Sequence, residues 1–222
     1  MCGRFTLTDE AVQLQEFFEF EYNEEITPRY NISPGQNILT IVSNGIKRIG
    51  QDMKWGLVPN WAKDEKIGYK MINARAETIE EKPSFKHAFQ RRRCLILADG
   101  FYEWRRTEDG KQPYRFVMKD RKPFAFAGIW ETWTKGESSL ISCTIITTEA
   151  NDVTRDVHER MPVILPAQTF ETWLDPHFQQ IRPLKELLDP YPAEEMEKYE
   201  VSRLVNSSRN EAKGLISPLN SI

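Results

Sequence analysis

Apolar positions in this chain fall into short runs and two-residue alternations, broken at Gly, Asn, Asp and Pro. That pattern predicts strands more than helices. Asn37 to Val42 and Ile46 to Met53 read as a hairpin around Ser43-Asn44-Gly45, a strong turn signal. Cys94 to Leu97, Phe101 to Arg106, Tyr114 to Met118 and Phe124 to Trp133 read as a meander, and Ser139 to Thr147 as a further strand. Asp109-Gly110 and Asp120-Arg121-Lys122-Pro123 supply turns between the last three strands of that meander. Helical spacing is confined to short stretches. Asp9 to Phe20 carries an apolar stripe at Ala11, Leu14, Phe17 and Phe18, with Thr8 placed to cap it. Ser84 to Arg91, followed by Arg92 and Arg93, and Gln168 to Leu174 are shorter helices. Strands close in sequence and joined by tight turns favour an antiparallel or mixed sheet. The fold class is α+β with β dominant.

Length and composition narrow this further. The chain has 222 residues, 40% hydrophobic and 11% aromatic, enough to bury a sizeable core. No internal repeat, low-complexity tract or linker divides it, so residues 1–222 read as one domain. No apolar run approaches the ~20 residues a membrane-spanning helix needs, and Met1 to Asp9 lacks the pattern of a signal peptide. A cytoplasmic or nucleoid-associated location is expected, and no membrane partner. Three cysteines, an odd number, argue against a disulfide framework. Cys94 and Cys143 sit in β-like apolar runs and read as core thiols. Cysteines and histidines show no paired ligand spacing, so no metal is expected. The net charge of −3 means any nucleic-acid site must be a local basic patch, and Glu186 to Glu200 is too acidic to be it.

The most informative residue is Cys2. If Met1 is removed, Cys2 carries a free α-amine and a thiol two carbons apart. An amine condenses with an aldehyde to an imine, and a thiol so placed can close it to a thiazolidine. Other segments supply groups that such chemistry needs. Asn73 and Arg75, two apart in Asn73-Ala-Arg75, suit sugar or phosphate oxygens if extended; as plain scaffold they would satisfy backbone carbonyls. Glu103 stands between Tyr102 and Trp104, and alternation puts it on the face of Phe101. In apolar surroundings its pKa rises toward neutrality; on a solvent face it does nothing. His158 lies two residues from Arg160 in a shaped loop ending at Pro162. Trp55 and Trp61 bracket a turn and can stack on unpaired bases or pack in the core. Arg4 places a cation beside Cys2.

Six stretches, in order, resemble the SRAP (SOS-response-associated peptidase) family of abasic-site processing proteins. They are Met1-Cys-Gly-Arg-Phe5, Arg29-Tyr-Asn-Ile-Ser-Pro34, Trp55-Gly-Leu-Val-Pro59, Asn73-Ala-Arg-Ala-Glu-Thr78, Ala98-Asp-Gly-Phe-Tyr-Glu-Trp104 and His158-Glu-Arg-Met-Pro162. Val205-Asn206 is a weaker echo, and Ser33 stands where Ala is usual. The resemblance implies a single β-rich domain around a barrel-like core. It implies a covalent trap for abasic sites in single-stranded DNA, tied to DNA damage and the SOS response. Cys2 falls on the crosslinking position, assisted by Asn73, Glu103 and His158. Arg4, Asn31, Pro34, Arg75 and Arg160 fall where family members line the DNA cleft. No cofactor is implied, and a monomer is expected. An associated lyase activity, by elimination of the imine, and an autoproteolytic activity go with that trap. Two rivals stay open: a thiol peptidase that uses Cys2 with His158 and Asn73, and a non-catalytic single-strand binding module.

Overall fold

The computed structural model describes residues 2–219. The Met1 step of the reading above lies outside the described residues. Strands and helices follow in the order β1 (Phe5–Leu7), α1 (Ala11–Phe18), β2 (Phe20–Glu21), β3 (Arg29–Ile32), β4 (Asn37–Ser43), β5 (Arg48–Trp55), β6 (Asn73–Arg75), α2 (Lys86–Arg91) and β7 (Arg93–Ala98). They continue with β8 (Gly100–Thr107), β9 (Gly110–Met118), β10 (Phe124–Lys135), β11 (Ser138–Glu149), β12 (Arg160–Pro162), β13 (Ile164–Leu165), α3 (Phe170–Leu174), α4 (Ile181–Glu186) and β14 (Met196–Glu200).

Two sheets share the core. In the larger, β5, β4, β7, β10 and β11 pair in turn antiparallel, and β11 returns to β5 in parallel through Ser142 opposite Lys54 and Cys143 opposite Trp55. That closes a five-stranded barrel and leaves no open edge along those strands. The second sheet runs β14-β9-β8-β1-β3, all antiparallel. Every residue of β7 is buried, because helices α2 and α3 lie against it while it also lines the barrel. One apolar cluster runs from Cys2 to Met196 and ties both sheets together.

The β-dominant α+β class and the β4–β5 hairpin agree with the sequence pattern, with Gly45 at φ +86° in the turn. The meander does not. β7 and β10 are neighbours in the barrel, and the β8–β9 hairpin between them crosses to the second sheet. Alternation marks strands but says nothing about which sheet receives them. Nor does Thr8 cap α1: its hydroxyl and N–H both bind the Asp99 carboxylate, and α1 starts without a side-chain cap.

One irregularity prepares the site. β10 and β11 pair as far as Gly128 and Ile145, then diverge. The gap takes residues 160–165: β12 pairs with Thr147–Glu149, and β13 with Ala125 and Phe126. Val163 bridges both, donating to the Ile146 carbonyl and accepting from the Ala127 N–H, each at 2.9 Å. On the other side of β11, β6 runs parallel, with Asn73 opposite Ile145 and Arg75 opposite Thr147. Strand β6 with Asn73, and the loop of His158 that leads into β12, thus both join the splayed end of β11.

Candidate active site

β1 brings Cys2 to Glu103. Phe5 lies opposite Phe101 and Thr6 opposite Gly100, and the Tyr102 N–H donates to the Arg4 carbonyl at 3.0 Å. Continuing that register carries Gly3 and Cys2 alongside Glu103. Phe101 stacks on Phe116 inside the barrel-side cluster, and Glu103 shares its face. Tyr102 and Trp104 face the other way, onto Val201, Val205 and Leu215. Glu103 is 3% exposed, and burial pushes its carboxyl up from 4.5 to about 8. It is therefore largely protonated at neutral pH. Cys2 is fully buried, and burial together with the Glu103 charge drives its thiol far up. At neutral pH it is S–H, not thiolate.

His158 reaches this region through an ion pair. Arg105, two residues beyond Glu103 on β8, binds the Asp156 carboxylate, and its Nε donates to the Asp156 carbonyl at 3.3 Å. Lys198 holds the same carboxylate. The His158 ring is half-buried, and burial lowers its pKa. Its Nδ1 accepts the Arg160 N–H at 3.0 Å. The neutral ring then carries its proton on Nε2.

Asn73 is tied in through Trp55. The Trp55 indole N–H donates to the carbonyl of Ile72 at 2.9 Å, and its ring meets Phe5 edge-on at 5.3 Å, three residues from Cys2. Both side-chain polar atoms of Asn73 are buried with no hydrogen-bond partner among the described residues. An amide left with neither donor nor acceptor satisfied costs ~1–3 kcal/mol per group, which is tolerable where a ligand completes it.

The residues expected to line a DNA cleft fall into different environments. Trp55 is 1% exposed and belongs to the core, so its expected stacking on bases is corrected: it positions Ile72 and Phe5 instead. Trp61 is 56% exposed. The Arg75 side chain is exposed and makes no hydrogen bond or ion pair among the described residues, though its charge helps hold the Glu77 carboxyl down. Pro34 is half-buried in the turn before β4, where Gly35 at φ +87° donates to the Trp55 carbonyl. Arg4 and Asn31 are built into the fold. Arg4 Nη1 donates to Asn31 Oδ1 and the Val205 carbonyl, each at 2.7 Å, and Nη2 to the Asn206 carbonyl at 3.3 Å. Asn31, fully buried, donates to the carbonyls of Ser207 and Asn210. Together they strap residues 205–210 against the start of β1 and against β3.

Two features escaped the sequence reading. Asp99 accepts from Thr6 and Thr8 and pairs with buried Arg115 at 3.0 Å, clamping β1 to β8 and β9. Gly100 makes room for it, since a Cβ there would stand 2.6 Å from Arg115 Nε. Glu77, in the turn after β6, holds Arg160. Neither pair carries a local signal: each partner is more than fifteen residues from the other. Only the Gly in Ala98-Asp-Gly100 hinted at a close approach.

A closed barrel backed by a second sheet thus carries a buried cysteine within reach of a buried acid's charge, a half-buried imidazole, and an amide with no hydrogen-bond partner among the described residues. The chain belongs to the SOS response associated peptidase (SRAP) family, whose sequence pattern matches residues 1–208. It is 50% identical over 222 residues to a Bacillus subtilis protein named abasic site processing protein YoqW, covering 97% of this chain and 99% of that one. It is 32% identical to the Gallus gallus abasic site processing protein HMCES, covering 99% of this chain and 78% of the relative. Among solved structures, a Bacteroides thetaiotaomicron protein superposes with a TM-score of 0.88 at 27% identity, covering 98% of this chain and 99% of that one.

Proposed function

We propose that this protein captures abasic sites in single-stranded DNA by forming a thiazolidine through Cys2 once Met1 has been removed. The observation that carries the reading is the buried Glu103 beside the segment that leads from Cys2 into β1, close enough for its charge to act on the Cys2 thiol, with burial pushing its carboxyl up to about 8. The names of the relatives supply the substrate: they are called abasic site processing proteins.

The chemistry follows from the groups present. A free α-amine has a pKa of ~7.7–8.0, so roughly a tenth to a fifth is neutral at pH 7, against less than about one part in a thousand for lysine. That neutral amine attacks C1′ of the open aldehyde form of the sugar. A protonated Glu103 donates to the departing hydroxyl, water leaves, and an imine forms. The Cys2 sulfur then adds to the imine carbon, and its proton passes to the nitrogen. One water is lost overall and the ring is closed. Closure is intramolecular and fast relative to strand elimination. His158, whose Nδ1 accepts the Arg160 N–H so that Nε2 carries the ring proton, serves the proton transfer that opens the sugar hemiacetal. Asn73 offers its unsatisfied amide to the sugar oxygens, and Arg75 and Trp61 offer a cation and a ring to the flanking strand. Stabilising the lesion in this way fits a role in DNA damage, with the protein acting wherever single strands are exposed in the cytoplasm.

The thiol peptidase reading is disfavoured by the same burial. The Cys2 thiol is held far above its ordinary pKa; attack on an unactivated peptide carbonyl needs the thiolate, whereas the tethered imine is a stronger electrophile whose own nitrogen takes the thiol proton as the ring closes. The test is incubation with a single-stranded abasic oligonucleotide beside an undamaged one, read on a denaturing gel. A shifted band with the abasic strand alone is expected; no shifted band removes the reading.

A further inference from the structure

Arg160 spends its guanidinium inside the protein. Its two terminal nitrogens grip both carboxylate oxygens of Glu77, one at 3.1 Å and the other closer. One of them also donates to the Thr147 carbonyl at 2.7 Å and lies 3.3 Å from the Thr147 hydroxyl. The side chain is 11% exposed. Both terminal nitrogens are thus engaged, while Nε is buried without a partner among the described residues, so a phosphate meets no paired terminal fork unless Glu77 departs. The backbone of the same residue has a different task, because the Arg160 N–H is the donor to His158 Nδ1.

The pair also spans the site. Glu77 sits in the turn Ala76–Thr78, directly after the strand that carries Asn73. Thr147 lies between that strand and β12, opposite Arg75 on one side and Pro162 on the other. Arg160 is the first residue of β12, where a short strand frays most readily. The side-chain clamp thus crosses the end of β11 and pins the residue whose N–H orients the imidazole.

We propose that Glu77 is a positioning residue: by holding the Arg160 guanidinium it fixes the turn whose backbone N–H sets the tautomer and orientation of His158. Arg160 then contributes alignment. This deepens the Cys2 reading and rests on it for its activity readout alone.

The test is Glu77→Gln, measured three ways. Ring-nitrogen NMR of His158 is expected to show a proton on Nε2 in the wild type and a mixture of tautomers in the variant. The crosslinking rate with saturating abasic strand is expected to fall about tenfold or more, as for a small misplacement of a reacting group. The Kd for an undamaged single strand and its salt dependence are expected to stay unchanged. Glu77→Asp, with the charge one methylene shorter, is expected to recover part of the rate. The proposal is overturned if the tautomer and rate do not move. It is overturned equally if Glu77→Gln tightens binding and steepens the salt slope by about 0.7, the value for one added phosphate contact on a single strand, for then Glu77 guards a phosphate seat. Should Glu77→Gln lower the melting temperature enough to unfold, Arg160→Lys keeps the charge but loses the fork, and the same mixed tautomer is expected. A wild type that forms no crosslink removes the Cys2 reading, while the tautomer and Kd comparisons still decide the role of Glu77.

Discussion

Arg105 reaches from the strand of Glu103 to both the carboxylate and the carbonyl of Asp156, two residues before His158. An acid on one sheet and an imidazole on a loop of the other are thereby held to a common frame. The pair is half exposed, so its value is geometric more than energetic. It ties the loop of His158 to the strand of Glu103, fifty-five positions away in sequence.

Cys2→Ser keeps an amine but removes the sulfur. Imine formation with an abasic strand is expected to persist, trappable by borohydride, and the gel-stable adduct is expected to vanish. A stable adduct in this variant would falsify the thiazolidine assignment.

Retention of the first methionine is the second lever. Intact mass of the purified chain is expected to show loss of Met1. A variant with Ala inserted before Cys2 is expected to bind single strands with wild-type Kd while forming no crosslink. Full crosslinking there would mean that the amine of Cys2 is not used.

The rate should depend on pH in a bell. Neutral amine grows as pH rises toward ~7.7–8.0, and protonated Glu103 is lost as pH passes about 8. The maximum of kcat/KM is therefore expected near pH 8. Glu103→Gln is expected to slow the reaction and to replace the alkaline fall by a plateau. An unaltered alkaline limb in that variant assigns the acid elsewhere.

The same residue links stability to pH. Its folded value is raised from 4.5 to about 8, so its contribution is fully present below pH 4.5 and is lost as pH climbs through 8. Glu103→Gln is expected to gain stability over wild type at pH 8, on the order of a few kcal/mol given the size of the shift and complete burial. Urea unfolding at pH 5 and pH 8 reads this directly. A wild-type stability as high at pH 8 as at pH 5, with no gain in the variant, excludes it.

The two tryptophans should separate cleanly. Trp61→Ala is expected to weaken single-strand binding by ~1–3 kcal/mol with little change in Tm. Trp55→Ala is expected to cost ~3–5 kcal/mol of stability, because it opens a cavity between Phe5 and Ile72. Fluorescence titration and thermal unfolding of both variants decide this, and a stable Trp55→Ala that binds poorly would reverse the assignment.

Much of this protein was written locally. Turn residues and alternation located β4, β5, β8, β9, β10 and β11 to within a few residues, since period and turn chemistry are properties of neighbours in sequence. The face of Glu103, shared with Phe101 and opposed to Tyr102 and Trp104, also followed from alternation alone. Six short motifs named the family. Tertiary structure decided the rest. It sent β8 and β9 to a second sheet, closed β11 onto β5, buried Trp55, turned Arg4 and Asn31 into a strap for residues 205–210, and gave Arg160 to Glu77. These depend on contacts between residues far apart in sequence, where burial and competition among partners choose each role. A guanidinium reads the same in the sequence whether it meets a phosphate, a carbonyl or a carboxylate; only the folded chain determines which of them is within reach.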